Sequence, residues 1–156
     1  MSLRDPRVQG VAWGGLAVGV LDTLLAVGLF NVSPLVVYQS VAGGLLGRAT
    51  YQGGWATAAL GMFLHFFIAT TAAAAYTSAS LKLPALVRHP VPWGIAYGAA
   101  VYFFMNFVVL PLSAARGGRF AWGVFVGHLF LVGLPIALLA SRGARLSEAN
   151  SPARVA

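Results

Sequence analysis

Four apolar runs, each long enough to cross a lipid bilayer as a helix, constrain the fold of this chain more than any other feature. A helix needs about 20 apolar residues to cross the hydrocarbon core of a bilayer. The runs cover residues 8–30, 54–78, 91–113 and 120–141. They lack the alternation of a transmembrane β-barrel, whose strands are segments of about 10 residues. The sequence therefore predicts an all-α integral membrane protein, a four-helix transmembrane bundle formed as a single domain over residues 1–156.

Composition supports this class and excludes others. Charged residues make up 8% of the chain, whereas soluble domains carry about a quarter. The chain contains no cysteine, which excludes a disulfide framework, a thiol catalyst and a cysteine metal site. The net charge of +7 comes from cations scattered between apolar runs, with no basic face for nucleic acid. The predicted partner is the lipid bilayer, with a homo-oligomer or another membrane protein as open alternatives.

The connection between the first two runs, residues 33–53, is long and apolar but too short to add a span. Ser33 is placed as a helix N-cap, and Pro34 suits the first turn of a helix. The helical pattern over residues 35–46 puts Gln39 on its polar side, away from Tyr38. We expect a short interfacial or re-entrant helix here. The polar tail, residues 142–156, is predicted to be disordered and cytoplasmic.

The distribution of lysine and arginine predicts the orientation. Seven of the ten lie at the two termini and in the middle loop, and three lie in the other two connections. The seven are Arg4, Arg7, Lys82, Arg88, Arg142, Arg145 and Arg154, and the three are Arg48, Arg116 and Arg119. The positive-inside rule therefore predicts a multi-pass protein of the bacterial inner membrane with both termini in the cytoplasm.

Each predicted span also carries one polar side chain that is unusual inside a membrane. These are Asp22, His65, Asn106 and His128. At 1.5 Å per residue all four lie about 10–16 Å below the outer ends of their helices, in one layer. Residues of this kind usually face the bundle interior or a wet cavity. The sequence thus predicts a polar intramembrane cluster with one member from each span.

Small residues share a helix face with three of these polar side chains. The helix-packing positions that we predict are Gly15, Gly19, Gly61 and Gly98. Small residues let helices approach closely. The polar side chains of the first three spans are therefore expected to point inward.

The predicted layer has a functional and a structural interpretation. In the first, the cluster handles a proton, an ion or a small solute, with Asp22 paired to a histidine and Asn106 as a bridge. In the second, the side chains form interhelical hydrogen bonds of about 0.6 kcal/mol each, as in a structural or accessory subunit. The two histidines on different spans also suit a bis-His haem electron carrier, which is less favoured.

No motif in the chain indicates an enzyme. No serine lies in the histidine layer, so a Ser-His-Asp hydrolase is disfavoured. A zinc site from His65, His128 and Asp22 has no independent ligand spacing to support it. We therefore predict a protein without catalytic residues, without metal ligands and without a cofactor.

Four short segments resemble known sequences. They are Gly19-Val20-Leu21-Asp22, Leu64-His65-Phe66-Phe67, the stretch from Met105-Asn106 to Leu112-Ser113, and Gly127-His128-Leu129. On these residues the chain resembles small bacterial membrane proteins and, more distantly, the YagU-like inner-membrane family. The resemblance implies a four-helix inner-membrane protein of unassigned biochemistry, and it brings no catalytic residues.

Overall fold

The computed structural model of the protein describes residues 5–115 and 120–150. Within these residues the chain forms six helices and no strand. They are α1 (Pro6–Phe30), α2 (Pro34–Leu46), α3 (Gly54–Lys82), α4 (Ala85–Arg88), α5 (Pro90–Leu112) and α6 (Trp122–Ala149), with a 3-10 turn at Gly47–Gln52. Arg4, Arg116, Arg119 and Arg154, which contribute to the predicted orientation, lie outside the described residues.

Four of these helices, α1, α3, α5 and α6, are long and apolar enough to cross a membrane. The prediction of an all-α four-helix bundle is confirmed, and the helices indicate a multi-pass membrane protein. All four tryptophans, at positions 13, 55, 93 and 122, are exposed on the bundle surface. Each lies near a helix start, where an indole ring can sit at the level of the lipid headgroups.

The helix starts follow local side-chain chemistry. The carboxylate of Asp5 accepts a hydrogen bond from the backbone N–H of Arg7 at 2.9 Å and caps α1. Ser33 caps α2 by accepting from the N–H of Val36 at 3.4 Å, with Pro34 in the first turn. The cap predicted at Ser33 is therefore confirmed.

The way the helices pack against one another leaves one gap in the bundle, between α3 and α5. α1 lies between α3 and α6, and α5 packs against α6. α2 lies across the first turns of α3, and its Gly44 carbonyl accepts a hydrogen bond from the N–H of Ala114 at 2.8 Å. We call this end of the bundle the α2 end and the opposite end the α4 end. Along the described residues the backbones of α3 and α5 stay apart, and the two helices meet through side chains such as Tyr97, whose ring packs against that of Tyr76.

The glycines singled out in the sequence lie where helices meet. A methyl group at Gly61 would collide with the backbone of α2, and one at Gly98 would collide with the backbone of α6 at His128. A methyl group at Gly15 would collide with Thr70 of α3, and one at Gly19 would collide with the Phe66 side chain of α3. These four positions are therefore used for contacts within the chain.

The half of the bundle toward the α4 end is packed and apolar. Its buried core consists of Val18, Ala69, Ala73, Tyr76, Leu86, Val132, Ile136, Ala137 and Ala140. Two hydrogen bonds fix α4 below this core: the Tyr76 hydroxyl donates to the Leu86 carbonyl at 2.9 Å, and the Ser141 hydroxyl donates to the Val87 carbonyl at 2.8 Å. This core closes the α4 end.

The prediction of a disordered tail from residue 142 was wrong for residues 142–149, which continue α6 as a helix. Gly143 packs against the backbone of Pro6 and Arg7, and Ala144 is buried. Small residues on this face let the last turns of α6 dock on α1, so the bundle extends past the predicted span. Residues 151–156 of the predicted tail lie outside the described residues.

Candidate functional site

A cavity of about 370 Å³ lies between the four spans and is lined by Asp22, His65, Asn106 and His128. All four side chains are half-buried. The structure therefore brings the four predicted residues, one from each span, to a single cavity.

The cavity lies toward the α2 end of the bundle. Its deepest lining residues include Val18 and Val132, which belong to the packed core. Its other lining residues include Phe30 at the end of α1, Val41 of α2 and Ala121 just before α6. The cavity therefore runs from the middle of the bundle to the α2 end, and the core separates it from the α4 end.

His65 is held by a hydrogen-bonded cluster that joins α1, α2 and α3. Its Nε2–H donates to the Gly19 carbonyl at 2.9 Å and lies 3.3 Å from the hydroxyl oxygen of Thr23. The Thr23 hydroxyl donates to the same carbonyl at 2.7 Å and lies 3.3 Å from the Tyr38 hydroxyl. Thr23 and Tyr38 were missed as site residues; the signal for Thr23 was its position beside Asp22 on an inward face.

Asn106 and His128 bond to the backbones of their own helices. The Asn106 amide donates to the Tyr102 carbonyl at 2.9 Å, and the His128 Nδ1–H donates to the Val124 carbonyl at 2.9 Å. Within the described residues, the amide oxygen of Asn106 and the Nε2 of His128 have no hydrogen-bond partner. A neutral histidine with a proton on Nδ1 is an acceptor at Nε2, so both atoms can accept from a ligand.

Both of these residues lie in π-helical segments, Met105–Val109 of α5 and His128–Gly133 of α6. Each segment is followed by a Leu-Pro pair, ending in Pro111 and Pro135. A proline inside a helix cannot donate a backbone hydrogen bond, and its ring clashes with the carbonyl of the residue four positions earlier. A wider turn before the proline relieves this clash. π-helical turns often occur at functional sites, and here both lie at the cavity.

Asp22 lines the cavity without a hydrogen-bond partner among the described residues, although the neighbouring Thr23 is fully engaged. The expected pairing of Asp22 with a histidine, and the expected bridge from Asn106, are absent. In the described part of the chain no direct hydrogen bond joins any two of the four residues. They share a cavity rather than a bonded network, so a ligand or water can contact all of them.

The arrangement gives little support to a metal or haem site. No group of three histidine, aspartate or glutamate side chains is positioned to hold a metal ion within residues 5–115 and 120–150. The Nε2 of His65, the usual haem ligand atom, is directed at the Gly19 carbonyl. The haem interpretation would require this bond to break.

No protein-family model, curated protein or solved structure matches the chain. The resemblance to the YagU-like family therefore stays a prediction.

Proposed function

We propose that this chain is a non-enzymatic protein of the bacterial inner membrane that binds a proton or a small polar solute in the cavity between its four spans. Asp22, Asn106 and His128 would contact the bound species. His65, through Thr23 and Tyr38, would hold α1, α2 and α3 around it. With both termini in the cytoplasm, the cavity would open toward the periplasm.

The observation that carries this proposal is the grouping of one polar side chain from every span around one cavity. Polar groups inside a membrane are costly and usually line solute or ion pathways. Among the described residues, three of the four keep polar atoms without a protein partner, as a binding site requires. The packed core at the α4 end favours a site open on one side over a continuous pore.

The alternative is a structural or accessory subunit that binds other membrane helices through its glycine faces. Gly15, Gly19, Gly61 and Gly98 already meet other parts of this chain. These four glycines are therefore not available to a partner helix. The cluster around His65 suits this alternative, because it connects three helices, but it leaves Asp22 unexplained.

The charge distribution supports the proposed orientation. The described cations near the α4 end are Arg7, Lys82, Arg88, Arg142 and Arg145. Arg48 is the described cation at the α2 end. The positive-inside rule then favours the α4 end as the cytoplasmic one.

Water access to the cavity tests the proposal, and the absence of native cysteine makes single-cysteine variants simple to interpret. Val124→Cys places a thiol in the cavity wall, and Ala137→Cys is the matched control in the packed core, where Ala137 is 0% exposed. With the protein in vesicles, we expect a cationic, membrane-impermeant thiol reagent to modify Val124→Cys from the α2 side and to spare Ala137→Cys. No reaction at Val124→Cys would contradict a solute site.

A further inference from the structure

An apolar groove of about 560 Å³ runs along the gap between α3 and α5 and faces outward. On α5 it extends from Tyr97 to Val109, a length of about 18 Å at 1.5 Å per residue. On α3 it is lined by residues such as Phe67 and Ala75. The groove is thus a slot parallel to the spans, and it covers more than half of a hydrocarbon core of about 30 Å.

The polar side chains of the groove are already paired. The Thr71 hydroxyl donates to the Phe67 carbonyl at 2.8 Å, and the Tyr97 hydroxyl donates to the Ala72 carbonyl at 2.8 Å. The groove therefore offers a ligand apolar contact, which suits a hydrocarbon chain.

The groove and the polar cavity adjoin. Both are lined by Ile68, Ala72, Val101 and Met105. Met105 belongs to the π-helical segment, next to Asn106. Methionine is unbranched and flexible, so this shared wall is the place where a molecule in the groove can reach the cavity.

The cavity also restricts the charge of such a molecule. Its lining contains no lysine or arginine among the described residues, and it contains the carboxylate of Asp22. The carboxylate of Asp22 would repel an anionic head group, which would also lose its hydration in this low-dielectric site. The amide oxygen of Asn106 and the Nε2 of His128 instead offer acceptor atoms to a hydroxyl group, which can donate to them.

We propose that the groove between α3 and α5 admits an amphiphile from the bilayer, a molecule with a linear hydrocarbon chain and an uncharged, hydrogen-bonding head group. The chain lies in the groove, and the head passes Met105 to reach Asn106 and His128. This inference rests on the proposed function, because it names the class of solute that the cavity binds. Diacylglycerols have this chemistry, because their uncharged head group ends in a hydroxyl group.

Photolabelling in lipid vesicles tests the inference with a hexadecanol that carries a diazirine on its chain. We expect adducts to be concentrated on groove residues, and we expect Ala100→Phe to lower their yield about tenfold, equivalent to about 1.4 kcal/mol. Ala100 is exposed and lines the groove but not the cavity. The matched control is Ala12→Phe on α1, where Ala12 is exposed away from the groove; it should leave the yield unchanged.

The same chain with a phosphate in place of the hydroxyl should show no preference for the groove. Didecanoylglycerol, added as a competitor, should suppress the adducts more strongly than decylubiquinone, whose head group has no hydroxyl group to donate. Equal labelling by the alcohol and the phosphate, equal competition by didecanoylglycerol and decylubiquinone, or full labelling of Ala100→Phe would overturn the inference. If this happens while Val124→Cys still reacts with the thiol reagent, the proposed function stands; if Val124→Cys is unreactive, the proposed function fails as well.

Discussion

Thr23 connects three helices through one hydroxyl group. It is 7% exposed, its hydroxyl donates to the Gly19 carbonyl, and it lies within 3.3 Å of both Tyr38 and His65. Inside a membrane the alternative to such a bond is an unsatisfied polar group. Thr23 therefore adds a second polar contact to His65, beside the hydrogen bond from His65 to the Gly19 carbonyl.

Thr23→Val keeps the shape of the side chain and removes the hydroxyl. We expect it to lower the free energy of unfolding by about 1 kcal/mol, because Tyr38 and His65 each lose their polar contact with the Thr23 hydroxyl. The measurement is unfolding in detergent. Thr71→Val is the control, since Thr71 is exposed and its hydroxyl donates to its own helix; an equal loss in both variants would contradict the role of Thr23.

Asp22 differs from His65 because its removal leaves no described protein group unpaired. Asp22→Leu should therefore melt at or above the temperature of the wild type, since it removes a half-buried carboxylate. His65→Leu should melt lower, because it removes the hydrogen bond by which the His65 side chain links α3 to the Gly19 carbonyl of α1. If Asp22→Leu is destabilised as much as His65→Leu, Asp22 is part of the scaffold and not of a binding site.

Helix crossings dominate the packing of the spans. Gly98 lies against the α6 backbone at His128, whereas Gly28 on α1 has open space around it. Gly98→Ala should cost about 1–3 kcal/mol by overpacking this crossing. Gly28→Ala should be neutral or stabilising by up to about 1 kcal/mol, because alanine is the better helix former. Unfolding of both variants in detergent compares the two glycines directly, and equal effects would contradict the crossing at Gly98.

The sequence predicted the elements that depend on local signals. Apolar length defined the four spans, and Ser33 with Pro34 defined the start of α2. It did not predict the burial of Gln39, whose amide donates to the Gly54 carbonyl at 3.1 Å. It also missed the π-helical turns and the last turns of α6. Each of these depends on which helix packs against which, and that information is not local in the chain.

The site also combines features that follow from local sequence with features that depend on which helix packs against which. Helical spacing and depth predicted which four polar residues belong together, because both follow from the rise of the helix. The hydrogen-bond partners were not predictable. Thr23 becomes a neighbour of His65 where α1 packs against α3, and Tyr38 of α2 reaches the same Thr23 hydroxyl. Asn106 and His128 bond to their own backbones within π-helical turns.

For the whole molecule, the predicted orientation can be tested at two exposed positions at opposite ends of the bundle. Gln52 lies at the α2 end, and Leu83 follows α3 at the α4 end. We expect an impermeant thiol reagent to label Gln52→Cys in intact cells but to label Leu83→Cys only after the cells are lysed. The reason is that most cations lie at the α4 end, which the positive-inside rule places in the cytoplasm. Each variant is the control for the other, since both side chains are exposed and burial cannot explain a difference.

A reporter that is active in the periplasm gives an independent test of this orientation. It should be fused after Ala149 rather than within α6, because residues as far along as Ala144 are buried against the rest of the bundle. We expect this fusion to be inactive and a fusion between Ser113 and Ala121 to be active. The reverse pattern, or labelling of Leu83→Cys in intact cells, would place the α2 end in the cytoplasm and reverse the side from which a solute reaches Asp22.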